Sequence, residues 1–199
     1  ALLPIALYWQ QKLYRHHVRK VLFMLDAIEN NDNAIHFSET ENTADARLGY
    51  KMGTGWFGAK PDTNNPASPK THYKMWLLDI DWQKPFTLGH RPASFTTSLH
   101  GQWTTGGMRL YSTDMVSIGN RYTVRGFDGE YTLMGENGWY LRNELSSSLP
   151  RLHSSVYVGL DMGAVYGIST ETLTGRTIAG MALGMRGTFP SGLFYDIFI

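Results

Sequence analysis

The sequence contains no cysteine, and this absence removes several classes of site from consideration. Without a single Cys among 199 residues, the chain cannot form a disulfide framework, a thiolate zinc site or a cysteine nucleophile. Long apolar runs are missing too. An uninterrupted run such as residues 21–25 is far shorter than the ~20 apolar residues of a membrane-spanning helix. The sequence therefore predicts no transmembrane helix.

Charge is scarce and evenly balanced. The chain has 18 Lys and Arg against 17 Asp and Glu, a formal net charge of +1, which gives no electrostatic case for a nucleic-acid partner. Charged residues make up 18% of the chain, below the ~25% that is usual in soluble domains. Glycine and aromatic residues are abundant instead, with 21 Gly, 11 Tyr and 6 Trp. This composition favours a β-rich protein that meets lipid.

Apolar and polar residues alternate with a period of two, which predicts β-strands. The clearest windows are residues 44–52, 95–103, 139–145, 156–162 and 177–185. Short breaks fall at residues 15–17, 42–43, 84–92, 149–152 and 190–192, and longer ones at 29–33, 53–70, 105–135 and 165–174. About ten strands in a meander, with tight turns at one end and long loops at the other, are typical of outer-membrane β-barrels.

The polar face of the predicted strands carries charged side chains, whereas the other face carries Trp, Leu, Val and Met. An inside-out barrel, with lipid outside and a water-filled lumen inside, fits this pattern. The residues expected to face lipid are Trp103, Leu141, Val158, Leu160 and Leu183, and those expected to face the lumen are Gln102, Arg142, Asp161 and Arg186. A soluble β-sandwich gives the same alternation, so periodicity alone leaves both architectures open.

Motifs that would indicate catalysis or a cofactor are weak. Residues 53–58 match the G-x-G-x-x-G pattern, but the proline-containing stretch that follows cannot open the helix that a dinucleotide needs. Asp79 and Asp81 share one face of a strand, and we interpret them as charges at a membrane–water boundary rather than as an acid–base pair. No His, Asp or Glu cluster has metal-ligand spacing. We therefore predict no enzyme, no cofactor and no metal.

Residues 120–145 carry the most specific pattern. They include Val-Arg-Gly-Phe at 124–127 and Gly-Trp-Tyr-Leu-Arg-Asn-Glu-Leu at 138–145. Together with residues 53–58, 158–163 and 193–198, in this order, they resemble the two-partner-secretion transporters. These are the TpsB family of haemolysin and adhesin secretion-activation proteins, within the superfamily of BamA-type barrel insertases.

The resemblance implies an all-β fold, an antiparallel up-and-down transmembrane β-barrel of sixteen strands. Residues 1–199 would supply about ten of these strands, as the C-terminal portion of the barrel domain. Members of the family also have POTRA domains, a plug helix and a last strand, and we expect these parts to lie outside this chain. A start inside a longer precursor would also explain why residues 1–4 do not resemble a secretory signal.

The resemblance also implies a function. It points to a monomeric pore in the outer membrane of a Gram-negative bacterium that secretes a large partner exoprotein, whether haemolysin, adhesin or contact-dependent toxin, without a cofactor. The expected partners are this exoprotein and outer-membrane lipid, with no nucleic acid. Two alternatives stay open, an outer-membrane insertase of the same superfamily and a soluble β-sandwich that binds carbohydrate.

In this family the Val-Arg-Gly-Phe tetrad forms the tip of a long loop that folds into the pore. We therefore expect residues 105–135 to enter the barrel, with a pore-loop motif of Val124, Arg125, Gly126 and Phe127. The resemblance implies that Arg125 pairs with Asp161 on the lumen wall. The candidate residues that support the loop are Gly129, Glu130, Tyr140, Arg142 and Glu144.

The position of Asp161 supports this pairing independently. Asp161 lies on the polar phase of its strand between Gly159 and Gly163, whose missing side chains leave room for a loop. The planar guanidinium of Arg125 fits a carboxylate at two points. We expect lumen water to solvate the pair, which would limit its contribution to stability to about 0–1 kcal/mol.

Overall fold

The computed structural model describes residues 10–16, 20–26, 35–39, 42–54, 62–65 and 67–199. Its strands are β1 (Gln10–His16), β2 (Lys20–Asp26), β3 (Ile35–Glu39), β4 (Asn42–Met52), β5 (Lys74–Leu88), β6 (Arg91–Thr105), β7 (Val116–Ile118), β8 (Leu133–Gly135), β9 (Asn137–Leu149), β10 (Ser154–Tyr166), β11 (Thr177–Thr188) and β12 (Phe194–Phe198). Three single-turn 3₁₀ helices lie at Ser112–Asp114, Pro150–Leu152 and Ile168–Thr170. Within these ranges, no helix has the length and apolar character needed to cross a membrane.

Eight of the strands form one antiparallel sheet in the order β12-β11-β10-β9-β6-β5-β4-β3. Neighbours in the sheet are neighbours along the chain, except that β6 pairs with β9 across a long loop that contains the short strands β7 and β8. β1 and β2 pair as a separate hairpin. The all-β, antiparallel, up-and-down architecture is therefore as the sequence predicted, and the five windows of clear alternation all lie within strands.

Some predicted breaks are displaced or shorter in the structure: residues 42–43 lie within β4, and the break at residues 84–92 is narrower than predicted. Residues 84–92 were expected to break the chain, but β5 continues to Leu88 and β6 begins at Arg91, so the turn is only two residues long. β4 pairs with β5 only as far as Gln83. Beyond this point no described strand pairs with β5 on the β4 side, so the missing N–H of Pro85 interrupts no bond of the β4–β5 ladder. The predicted break at residues 29–33 lies outside the described residues, as do residues 55–58 of the glycine-rich stretch.

The sheet exposes apolar side chains on one face and buries polar side chains on the other. A sheet in a soluble protein does the reverse. In β10, Leu160 is 60% exposed whereas the neighbouring Asp161 is 3% exposed. The same contrast holds in β11, where Leu183 is exposed and Ala182 is buried. We call the apolar face of the sheet the outer face and the polar face the inner face. At these positions of β10 and β11 the outer face is exposed, whereas in a β-sandwich this apolar face would be buried against a second sheet.

The loop between β6 and β9 folds over the inner face, as expected from the sequence. β7 and β8 pair with each other within this loop, and this pairing was not predicted. Val116 and Ile118 of β7 pack with Val124 near the loop tip and with Val165 of β10, and all four are buried. We call residues 106–136 the inward loop. It is a compact element with its own ladder and core, fixed against β10.

Candidate functional site: the tip of the inward loop

A tight turn presents Arg125 to the sheet. The side-chain oxygen of Asn120 accepts hydrogen bonds from the backbone N–H groups of Tyr122 and Thr123, which bends the chain before the tip. Gly126 follows with φ +92°, a left-handed conformation that residues with a side chain rarely adopt. Arg125 therefore projects from the point where the loop reverses direction.

Asp161 of β10 receives three hydrogen bonds from Arg125. The guanidinium donates from Nε to Oδ2 at 2.7 Å and from Nη2 to Oδ1 at 2.9 Å, the two-point geometry that a carboxylate and an arginine form best. The backbone N–H of Arg125 also donates to Oδ2 at 3.0 Å. The side chains of Arg125 and Asp161 are 3% and 0% exposed, so the expectation of a solvated pair is wrong. Because the loop covers the pair, breaking it leaves a buried charge, which typically costs about 3–5 kcal/mol.

Glu144 of β9 is a second acidic partner of the same guanidinium. Its Oε2 accepts from Nη1 of Arg125 at 2.7 Å, and its Oε1 accepts from Arg186 of β11. The ring of Tyr157 lies beside both arginines, with its centroid 5.8 Å from Cζ of Arg125 and 4.6 Å from Cζ of Arg186. The hydrogen bond to Asp161 raises the pKa of Arg125 above its usual value although burial opposes the shift. The tip arginine therefore stays charged at any physiological pH.

Glycines on the inner face provide the space for this contact. A Cβ on Gly159 would lie 2.2 Å from Nη2 of Arg125, and a Cβ on Gly163 would lie 3.2 Å from Cγ2 of Val124. The loop tip approaches Gly180 of β11 more closely still, and the sequence did not indicate this glycine. A Cβ on Gly180 would lie 1.9 Å from the carbonyl oxygen of Arg125. A side chain at Gly159 or Gly180 would displace the tip.

The structure brings some of the other predicted residues to this cluster and leaves others apart. Arg142 donates from Nη1 to the carbonyl oxygen of Tyr122 at 2.9 Å and lies 3.9 Å from Asp161. Tyr140 stacks on His100, with ring centroids 5.1 Å apart.

Phe127 and the turn beyond it lie farther from the arginine. The ring of Phe127 is partly exposed and lies near Gly180. Gly129 has φ +85°, and the exposed Glu130 makes one hydrogen bond, from its backbone N–H to Asp128.

Asp79 and Asp81 line a neighbouring cleft of about 220 Å³ on the inner face. Asp79 lies 2.6 Å from Nδ1 of His100, and Asp81 accepts from the hydroxyl of Ser98 at 2.6 Å. Each carboxylate thus has its own polar partner, which is what charged groups on a wet inner face need. Among the residues described, no three His, Cys, Asp or Glu side chains are placed to hold a metal ion.

Comparisons with known proteins agree with this arrangement. The family model "Haemolysin secretion/activation protein ShlB/FhaC/HecB" matches residues 7–187. The outer membrane transporter CdiB-2 of Burkholderia pseudomallei is 39% identical over 158 residues, which are 77% of this chain and 27% of that protein. The hemolysin transporter protein HpmB of Proteus mirabilis is 32% identical over 122 residues, 59% of this chain and 21% of that protein.

Solved structures give the same match. The structure of CdiB from Acinetobacter baumannii superposes with a TM-score of 0.67 and 29% identity, covering 82% of this chain and 27% of that one. CdiB from Escherichia coli gives a TM-score of 0.65 and 30% identity over 77% of this chain. The chain thus spans about a quarter of the length of these relatives, 26–27% for the first two curated ones.

Proposed function

Because this chain belongs to the family of haemolysin secretion/activation proteins, we propose that it is part of an outer-membrane pore of a Gram-negative bacterium. The pore secretes a large partner exoprotein, such as a haemolysin, an adhesin or a contact-dependent toxin. The relatives named above are outer membrane transporters and a hemolysin transporter. The family is thus one of transporters, and the proposal assigns transport rather than catalysis to this chain.

The observation that carries the proposal is the inverted sheet. Apolar side chains of β10 and β11 are exposed on the outer face, while the inner face is polar and holds the inward loop. On the outer face, Tyr50, Trp76 and Trp103 lie side by side across β4, β5 and β6, as expected of an aromatic girdle at a membrane interface. A sheet that exposes its apolar face in this way is stable in lipid and would aggregate in water.

We also propose that residues 1–199 form the C-terminal portion of the barrel domain, in a pore that is monomeric and surrounded by outer-membrane lipid. The POTRA domains, the plug helix and the last strand belong to other parts of the protein in this proposal. The ten longer strands of this chain would then contribute to a barrel of about sixteen.

Within this pore, the inward loop is proposed to control the path of the exported chain. Three backbone or side-chain donors of Arg125 meet Asp161, and a fourth meets Glu144. This number of bonds to one residue supports a positioning role, in which the tip is held where the exported polypeptide must pass. Val124, Gly126 and Phe127 shape the tip, and Tyr140 and Arg142 belong to the wall that supports it. Gly129 and Glu130 belong to the turn that follows, and we propose that they support the tip through the turn itself.

Replacement of Arg125 tests the proposal. Arg125→Ala removes every bond that the Arg125 side chain makes to Asp161 and Glu144, so we expect a large loss of secreted exoprotein. The strand ladder does not involve Arg125, so the barrel should still assemble. Secretion is measured as exoprotein in the culture medium, and assembly as heat-modifiable barrel in outer-membrane fractions.

Arg121→Ala is the matched control. Arg121 is an exposed arginine of the same loop, near the rings of Tyr122 and Phe198, and its loss should leave secretion near the wild-type level. Full secretion by Arg125→Ala would refute the role of the tip. If Arg125→Ala instead lowered the amounts of unrelated outer-membrane barrel proteins while the exoprotein was still exported, an insertase function would be favoured.

A further inference from the structure

The two ends of the inward loop meet at one side chain, Gln102 of β6. Its Nε2 donates to the carbonyl oxygen of Asp114 at 2.8 Å, at the entry to the loop. It also donates to the carbonyl oxygen of Glu136 at 3.1 Å, at the exit. Gln102 is 6% exposed. Both amide N–H groups are therefore used, one for each end of the loop, and water has little access to replace them.

Glu136 ties the exit of the loop to a different part of the sheet. Its carboxylate accepts from the backbone N–H and the hydroxyl of Ser169, in the connection between β10 and β11. Glu136 is 1% exposed. A Cβ on Gly167 would lie 2.2 Å from its Oε2, so the connection is shaped closely around this carboxylate.

Asp114 ties the entry of the loop to β4 and to the residue just before β5. Its Oδ1 accepts from Nζ of Lys51 at 2.6 Å and from the hydroxyl of Tyr73 at 2.6 Å. Tyr73 is buried. None of these groups contacts Arg125, Asp161 or Glu144 in the described hydrogen bonds and ion pairs, so the base of the loop is held by a set of contacts separate from that at the tip.

Between the base and the tip the loop is stiff. β7 and β8 are paired from Val116 with Gly135 to Ile118 with Leu133, and their side chains share one buried cluster with Val124. A hairpin of this kind moves as one body when its ends are close together. Besides the packing of Val116 and Ile118 against Val165 of β10, its position in the pore depends on two sets of polar contacts, those of Arg125 at the tip and those of Gln102 at the base.

We propose that Gln102 is a positioning residue of the pore, which holds the base of the inward loop independently of the tip. The loop then leaves the lumen as a hinged hairpin, and only when both the tip contacts and the base contacts are broken. This inference rests on the proposed function, because it places the loop inside an outer-membrane pore. The proposal gives the neutral amide of Gln102 a share in keeping the lumen closed. Gln102 lies at the base of the loop, whereas Arg125 lies at its tip.

A thiol at the tip measures the position of the loop. Tyr122 is 71% exposed at the tip, and this chain has no cysteine of its own, so Tyr122→Cys introduces a single reporter within these residues. The probe is a polyethylene-glycol maleimide too large to enter a plugged pore, added to intact cells that express the whole transporter. Its labelling rate reports the fraction of time that the tip is outside.

If the tip contacts and the base contacts act independently, the effects of breaking them on the labelling rate should multiply. Gln102→Met keeps the length of the side chain and removes both donors, and it should raise labelling about tenfold in the Arg125→Ala background, the change that 1.4 kcal/mol produces. Gln102→Glu, which also lacks the donors, should behave in the same way. In the presence of Arg125 both variants should label slowly, because the tip still holds.

Gln83→Met is the matched control, since Gln83 has the same side chain and lies on the same face of the neighbouring strand β5, at the far end of the sheet from the loop base. It should leave labelling unchanged. The proposal would be overturned if Gln102→Met combined with Arg125→Ala labels no faster than Arg125→Ala alone, or if Gln102→Glu combined with Arg125→Ala labels no faster than Arg125→Ala alone. A purely structural effect would instead lower the amount of heat-modifiable barrel without changing the labelling of what remains. The assay needs no exoprotein, so its failure is distinguishable from a failure of secretion by the parent protein.

Discussion

At the scale of single residues, the glycines of the inner face determine how closely the loop tip can approach the sheet. Gly159→Ala would place a methyl group against the guanidinium of Arg125, and Gly180→Ala would place one against its carbonyl oxygen. We expect each variant to weaken the inward position by roughly 1.5–3 kcal/mol, the contribution of one hydrogen bond to a charged group. Gly180→Ala should be the more severe, because backbone moves less easily than the end of a side chain. Secreted exoprotein and tip labelling measure the effect.

Gly175→Ala provides the comparison, because a Cβ at Gly175 meets nothing within 4 Å. Secretion by this variant should equal that of the parent. If Gly159→Ala and Gly180→Ala also secrete normally, secretion does not depend on the close approach of the tip to the sheet.

The sequence predicted the Arg125–Asp161 contact but not its surroundings. The family resemblance carried by the Val-Arg-Gly-Phe motif implied the pair, and the polar phase of Asp161, a local property of its strand, supported it. Arg186 was placed on the polar face without a partner, and the double use of Gln102 was not foreseen. Its two carbonyl partners lie 12 and 34 residues away, and which carbonyls a loop turns towards a strand depends on how the loop folds rather than on any pattern in the sequence.

At the scale of elements, the outward face of β10 tests the membrane assignment directly. Leu160→Lys places a charge at an exposed apolar position. In lipid near the bilayer midplane we expect a loss of about 2–4 kcal/mol of unfolding free energy, whereas an exposed surface substitution in water changes stability by only about ±0.5 kcal/mol. Urea unfolding of the barrel in lipid vesicles measures the difference. Gln83→Lys, on the inner face, is the control and should cost little.

Strand positions were predictable from alternation, and the exceptions have physical reasons. β5 and β6 pair with each other through the predicted turn. Pro85 and Pro92 lie beyond the last described pairs with β4 and β9, so their missing N–H groups interrupt neither of those two ladders. β7 and β8 were missed because each has three residues, too few for a period of two to be visible. Their pairing comes from the packing of Val116 and Ile118 against β10.

At the scale of the whole molecule, a single sheet would serve two tasks in the proposed pore because its faces are chemically different. The outer face is apolar, as contact with lipid would require. The inner face carries the charges and glycines that hold the inward loop. The backbone hydrogen bonds lie between the strands and leave both faces free for these tasks. The tip and base contacts join the inward loop to β4, β6, β9 and β10 and to Tyr73 just before β5, so movement of the loop involves much of the sheet.

The tryptophans of the outer face give the last test of this arrangement. Trp76 and Trp103 are register partners on β5 and β6, and each is 43% exposed. If they form one level of an aromatic girdle, single-tryptophan proteins that retain either one should be quenched equally by brominated lipids. Bromines near the headgroups should quench more strongly than bromines deep in the acyl chains, because indole rings prefer the interface. Aqueous iodide serves as the control and should quench weakly. Strong quenching by iodide with none by brominated lipid would place this face in water and contradict the inside-out assignment of the sheet.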